Sequence, residues 1–200
     1  EQICAYFARW FDMRIIALRI TGPRTREQYI AERKNPIHPG LYVTDEEDLA
    51  VTALDGCPPV GVQSEPLLQL PIVLLVPKSL KLASIEDLLK RDRIDQTLIS
   101  PPASETITKS FSDLLARRNV VWPPGVEVNS LELVETYAAN GFGIGLSVGI
   151  PGKATDKRLR CLPISDLKPI TVAVLRHPNL PPVALALIEE MRRRAKALVV

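Results

Sequence analysis

Cysteine is scarce in this chain, and the three present, Cys4, Cys57 and Cys161, are far apart and odd in number. That pattern excludes a disulfide framework, fits a reducing cytosol, and leaves buried, inert thiols as the plain reading. No Cys-x-x-Cys or Cys/His spacing suggests zinc, so neither a metal nor a cofactor is expected. Histidine is scarcer still. His38 and His177 each precede a proline in an apparent loop, and no Gly-x-Ser-x-Gly elbow exists. Ser/His/Asp catalysis therefore has no foundation, and no enzyme is expected. Charge of one sign is also lacking, because 25 basic and 23 acidic residues leave only +2. A domain that grips DNA through phosphates should carry a basic stripe, and none stands out before the last helix. Finally, no apolar run reaches the roughly 18–20 residues needed to span a bilayer, so no membrane contact is expected.

What is present is an ordinary apolar content of 46% over 200 residues, enough for one large domain or two small lobes. The opening stretch Cys4–Phe11 has helical spacing and meets Arg14–Ile20, rich in β-branched residues. Thr25–Arg33 reads as a helix stopped by Asn35-Pro36. Short strands are expected at Leu49–Ala53 and Val60–Val62, with a loop at Asp55–Pro59 between them, and the strongest strand signal is Leu70–Val76. Ser84 is a good N-cap for a helix over Ile85–Lys90. Thr97–Ser100 then forms a strand, and Glu105–Arg118 a helix with Ile107, Phe111, Leu114 and Leu115 on one face. Strands at Leu159–Leu162 and Ile170–Leu175 and a helix over Pro182–Ala197 close the chain. Strands and helices alternate, which predicts an α/β fold with largely parallel sheets. Four Pro-Pro pairs punctuate the loops, and there is no internal repeat.

The segment Val126–Ile150, VEVNSLELVETYAANGFGIGLSVGI, is the most informative. It reads as a short strand, a helix capped by Asn129 or Ser130, a turn with Gly141, Gly143 and Gly145, and the buried strand Ile144–Val148. A dinucleotide fingerprint needs the opposite order, with glycines between a strand and the helix that receives the phosphate. The glycines are a helix stop. This segment resembles the corresponding part of the effector-binding domain of LysR-type transcriptional regulators. Two further stretches resemble that family, namely Asp48-Leu49-Ala50-Val51 and the crossing strand Leu70–Pro77. The closing order of strand, proline break and amphipathic helix is similar as well, and the resemblance runs from about Arg14 onward.

The resemblance implies a type 2 periplasmic-binding-protein-like fold, two Rossmann-like lobes joined by crossing strands. Lobe I would comprise 1–77 and 168–200, and lobe II 78–167. A small organic effector, an anion such as a carboxylate, would lie between them. The family further implies a homodimer or homotetramer, a cytoplasmic protein, and DNA contact through a helix-turn-helix preceding Glu1. A free-standing solute-binding protein of a transport system is the alternative, and an enzyme on a similar scaffold is a third.

In open α/β folds, ligands bind beyond the carboxyl ends of strands, where helix N-termini point. Ser100, Pro102, Ser104 and Thr106 sit on one such strand-to-helix loop, whose first-turn N–H groups can receive a carboxylate. Glu105 would repel that anion and should point outward. Ser130 opens the next helix, and Ser147 and Val148 end the strand after the glycines. Thr21 and Thr52 follow first-lobe strands and would meet the ligand from the other side. Each has a plainer reading as a cap, a packed strand end, or a hydroxyl satisfied by backbone. Glu46-Glu47 and Glu189-Glu190 are adjacent residues that do not face each other on a helix, and read as solvated surface. The basic run 192–196 reads as the exposed face of the final helix, with its cations placed well at a C-terminus.

Overall fold

The computed structural model describes residues 49–54, 58, 61–82, 84–90 and 94–199. The elements expected at Cys4–Phe11, Arg14–Ile20 and Thr25–Arg33, together with Thr21, lie outside the described residues. The described chain forms β1 (Leu49–Ala53), β2 (Gln63–Leu70), β3 (Ile72–Pro77), α1 (Ile85–Leu89), β4 (Leu98–Ser100) and α2 (Thr106–Arg117). It continues through β5 (Pro124–Glu127), α3 (Leu131–Ala139), β6 (Ile144–Val148), β7 (Leu159–Pro163), β8 (Ile170–Arg176) and α4 (Pro182–Val199). These residues divide into two compact units, one within Ile3–Leu68 and Val172–Ala197, the other Gln69–Thr171.

In the first unit β8 lies between β1 and β2. It runs antiparallel to β1, from Leu49 opposite Arg176 to Ala53 opposite Val172. The apolar stripe of α4 at Ala184, Ile188 and Met191 packs with Leu49 and Val174. That spacing of four and three residues keeps one helix face on the sheet. β2 was not foreseen as a strand. Its sequence QSEPLLQL is polar at its start and contains Pro66, which cannot donate to a ladder. Among the described strands β2 is an edge of its sheet, where a missing N–H costs little. Val62, expected in a strand, precedes β2 without joining it.

The basic run is matched by carboxylates. Arg192 donates through Nε to Glu65 of β2 at 2.8 Å, and Arg193 and Arg194 donate to Glu190 at 2.8 and 2.7 Å. Because α4 continues to Val199, only Lys196 occupies the last turn, so the dipole argument applies to that residue alone. Hydrogen bonds from Arg193 and Arg194 hold the Glu190 carboxyl well below its usual range, at about 2. A depressed folded-state pKa contributes stability above the ordinary carboxylate range that is lost as pH falls toward 2. Carboxyl-carbon NMR titration should place the Glu190 midpoint near 2. A midpoint near 4.5, the ordinary value, would mean the arginines leave it alone in solution.

The second unit has a five-stranded sheet in the order β5-β4-β6-β3-β7. β4 is parallel to β5 and β6, whereas β3 is antiparallel to β6 and β7. The expectation of largely parallel sheets is thus corrected. β3 enters from β2 of the other sheet across Pro71 alone, so no βαβ crossover from a neighbouring strand makes it parallel to β6 or β7. All six of its residues are buried, as its unbroken apolar sequence requires. The chain passes from the first unit to the second between Leu68 and Gln69, and β3 pairs on both sides with second-unit strands. The return falls between Thr171 and Val172.

The strand order places the helices. The chain passes from β4 through α2 to β5, then back through α3 to β6 on the far side of β4. Two right-handed crossovers in opposite directions put α2 and α3 on opposite faces of the sheet. Packing agrees. Val134, Ala138 and Ala139 of α3 share a cluster with Val73, Leu75 and Ile99. On α2, Ile107, Phe111, Leu114 and Leu115 are buried, as the sequence pattern predicts.

Candidate functional site

The carboxyl ends of β4 and β6 are a topological switch point. They are neighbours, with Ile99 opposite Gly145, and the chain leaves β4 toward α2 on one face. β6 lies against the α3 face, where a side chain at Gly145 would meet Val134. In open α/β folds a divergence of this kind is where the ligand crevice is found, and the N-termini of α2 and α3 lie at this end of the sheet.

Ser100 ends β4 and is completely buried. Its carbonyl accepts the Val128 N–H at 3.0 Å, but its hydroxyl has no hydrogen-bond partner. Leaving a buried hydroxyl unpaired costs about 1–3 kcal/mol. Among the described residues, Gln96 Oε1 and Arg160 Nε are also buried and unpaired. Gln96 precedes β4, at the opposite end of the sheet, and Arg160 already donates to the Leu80 carbonyl at 2.7 Å. Only Ser100 stands at the crevice. Strand alternation turns it away from the α3 face that Ile99 occupies, toward α2.

The loop after Ser100 is built by two prolines, which supply carbonyls but no N–H groups. Pro101 O accepts from the Thr108 hydroxyl at 3.1 Å, and Pro102 O from the Glu105 N–H at 3.0 Å. Both bonds fold the loop onto the first turn of α2. Glu105, not Ser104, occupies the N-cap position, and its side chain makes no capping bond. No acidic residue lies in the first turn proper, so the leading N–H groups of α2 lack a side-chain acceptor. Ser104 is exposed, while Pro102 and Thr106 are half-buried. Thr108 was not foreseen, because it sits inside the apolar stripe beside Ile107 and is 3% exposed.

Ser130 fulfils its plainer reading. It caps α3, its hydroxyl accepting the Leu133 N–H at 3.2 Å. Ser147 and Val148 are buried at the end of β6, opposite Val73 and Ile72. Ser147 shares strand parity with Gly145 and so faces α3, the side opposite Ser100. Seven expected residues thus fall at one end of the second-unit sheet, on two faces. Thr52 lies elsewhere. It sits inside β1 rather than after it, in the first unit, and its hydroxyl donates to the Ala53 carbonyl at 3.4 Å. That long contact matches a hydroxyl satisfied by backbone.

The family model described as "LysR substrate binding domain" matches residues 43–196. The chain belongs to this family. It is the effector-binding part of a LysR-type regulator rather than a transport binding protein. Its structure is similar to the regulatory domain of Synechocystis PCC6803 CcmR in complex with 2-PG. The TM-score is 0.62 at 16% identity, over 97% of this chain and 89% of that one. It is also similar to the effector-binding domain of QuiR in complex with shikimate, at 0.60 and 18% identity, over 87% and 79%. A third similar structure is HinK, a LysR family transcriptional regulator from Pseudomonas aeruginosa, at 0.59 and 18% identity. That match covers 74% of this chain and 54% of HinK, so this chain spans about half the regulator's length. No curated protein matches at the level of sequence. Among the described residues, no helix is long and apolar enough to cross a membrane, and no acidic, His or Cys group is arranged to hold a metal.

Proposed function

We propose that the crevice at the ends of β4 and β6 binds the effector, a small organic molecule with a carboxylate or similar anionic group. One observation carries the reading: Ser100 holds a fully buried hydroxyl without a partner beside the uncapped first turn of α2. A carboxylate there would take hydrogen bonds from the helix N–H groups and from Ser100, each favoured by the positive end of the helix dipole. Pro102, Ser104 and Thr106 border the same turn, Ser130 and Ser147 lie on the α3 side, and Val148, one residue on in β6, faces the α2 side. Shikimate, in complex with which the QuiR domain was solved, is an organic acid of the class this reading calls for.

Binding, not turnover, is the role. The effector would shift this domain between conformations by as much as it prefers one of them, and tenfold preference amounts to about 1.4 kcal/mol. The full regulator would act as a cytoplasmic homodimer or homotetramer and reach DNA through a helix-turn-helix domain of its own.

Ser100→Ala separates ligand binding from stability. It removes an unpaired buried hydroxyl, so the ligand-free protein should become more stable by roughly 1 kcal/mol. Carboxylate affinity should fall about tenfold, the worth of one charge-assisted hydrogen bond. Thermal-shift titration with a panel of small carboxylates, including shikimate, measures both. Equal affinity in wild type and variant would remove Ser100 from the site, and a panel without any binder would end the carboxylate reading.

A further inference from the structure

The chain leaves β6 by a ten-residue stretch, 149–158, that forms neither helix nor strand. It must carry the chain back along the sheet to the start of β7, which pairs with Pro77. Its first residue is held by the sheet, the Gly149 N–H donating to the Pro71 carbonyl at 2.8 Å. A turn follows at once, with the Lys153 N–H donating to Ile150 O at 3.2 Å. Beyond that turn, the loop is tied to its own residues, to α3 and, at its last residue, to the β3 side, where Arg158 O accepts the Lys78 N–H at 2.8 Å.

Two of the ties to α3 meet at one side chain. Glu135 accepts from Lys153 Nζ through Oε2 at 2.9 Å and from the Asp156 N–H through Oε1 at 3.0 Å. Both partners of the ion pair are largely shielded, with 26% and 20% of their side chains exposed. A third tie sits at the far end, where Arg158 donates to Asn140 Oδ1 at 3.1 Å. Asn140 is the C-cap of α3, so the loop is bound to the C-terminal half of that helix, at Glu135 and at its end. Burial lowers the pKa of Lys153.

We infer that Glu135 is a positioning residue, tying 149–158 to α3 and thereby fixing the turn Ile150–Lys153 directly after Ser147 and Val148. Its position on α3 is five residues past the cap Ser130, so one helix carries both the N-terminus at the crevice and the anchor of the neighbouring loop. Without the anchor, a loop containing Pro151 and Gly152 and lacking regular structure has no ladder to hold it. The consequence for ligand affinity rests on the site proposed above, whereas the tie itself does not.

Amide hydrogen exchange on the whole chain reads the tie directly. In Glu135→Ala, exchange at 150–156 should quicken on the order of tenfold, the effect of losing shielded hydrogen bonds. The exchanged pair Glu135→Lys with Lys153→Glu should restore slow exchange at 150–153 but not at Asp156, whose N–H would face a side chain that cannot accept. A packing role alone would show no such split. Shikimate and the other carboxylates then read the link to the crevice, and Glu135→Ala should weaken the best of them several-fold. Unchanged exchange throughout the loop in Glu135→Ala overturns the inference. Faster exchange with undiminished affinity, while Ser100→Ala still weakens binding, overturns the positioning role and leaves the site standing. If wild type binds none of the carboxylates, the site reading fails, and the exchange data alone decide whether Glu135 anchors the loop.

Discussion

Gly143→Ala is expected to destabilise the second unit by about 3 kcal/mol or more, toward the upper end of what overpacking costs. A Cβ at this position would stand 2.2 Å from the Thr97 carbonyl oxygen and 3.0 Å from its carbon. Both are backbone atoms, so no rotamer change relieves the contact. The same carbonyl accepts the Ile144 N–H at 2.9 Å, the bond that brings β6 alongside β4. Relief of the clash must therefore loosen the pairing on which the crevice depends. Gly141→Ala is the control. Its φ of +80° is strained for alanine, but nothing lies within 4 Å of the added carbon, and about 1 kcal/mol is expected. Urea unfolding of the two variants measures the difference. Equal losses would show that the approach to Thr97 is not rigid.

Phe111→Ala should cost about 3–5 kcal/mol, a large share of the 5–15 kcal/mol that holds a typical domain together. Phe111 is 1% exposed and meets Trp122 edge to face, the ring centres 5.9 Å apart. Trp122 is itself held by an indole N–H bond to the Gln96 carbonyl at 2.7 Å, so it cannot readily collapse into the vacated space. The cavity should persist, and a persistent cavity raises the penalty above simple transfer. Phe111→Leu keeps most of the volume and should lose less than half as much. A Phe111→Ala loss near 1 kcal/mol, measured by the same unfolding curves, would contradict a rigid wall at Trp122.

The second half of the chain was legible residue by residue. Ser84, and Asn129 or Ser130, announced two helix starts, and the hydroxyls of Ser84 and Ser130 accept the capping N–H groups. The apolar spacing of Ile107, Phe111, Leu114 and Leu115 foretold the buried face of α2, and the glycines after Ala139 foretold the stop before β6. These signals are local: caps and periodicity involve residues within one or two turns of each other. The candidate loop 100–106 was found for the same reason, as a strand end followed by a helix start.

Other features were illegible because they depend on residues far apart in sequence. The direction of β3 and the existence of β2 follow from which strands flank them, and Pro66 argued against a strand that an edge position permits. Nothing near Ser100 in sequence says that its hydroxyl will be sealed without a partner, nor that Thr108 will bind Pro101 O from inside an apolar stripe. Glu135 and Lys153 are eighteen positions apart and look like ordinary surface charges. The sequence by itself thus determined the α/β class, the order of elements over the second unit and the LysR resemblance, since periodicity, caps and breakers are short-range chemistry. Tertiary structure alone decided strand direction, the unit boundary and which polar groups lie buried and unpaired, because desolvation and strand pairing are set by neighbours the chain meets only on folding.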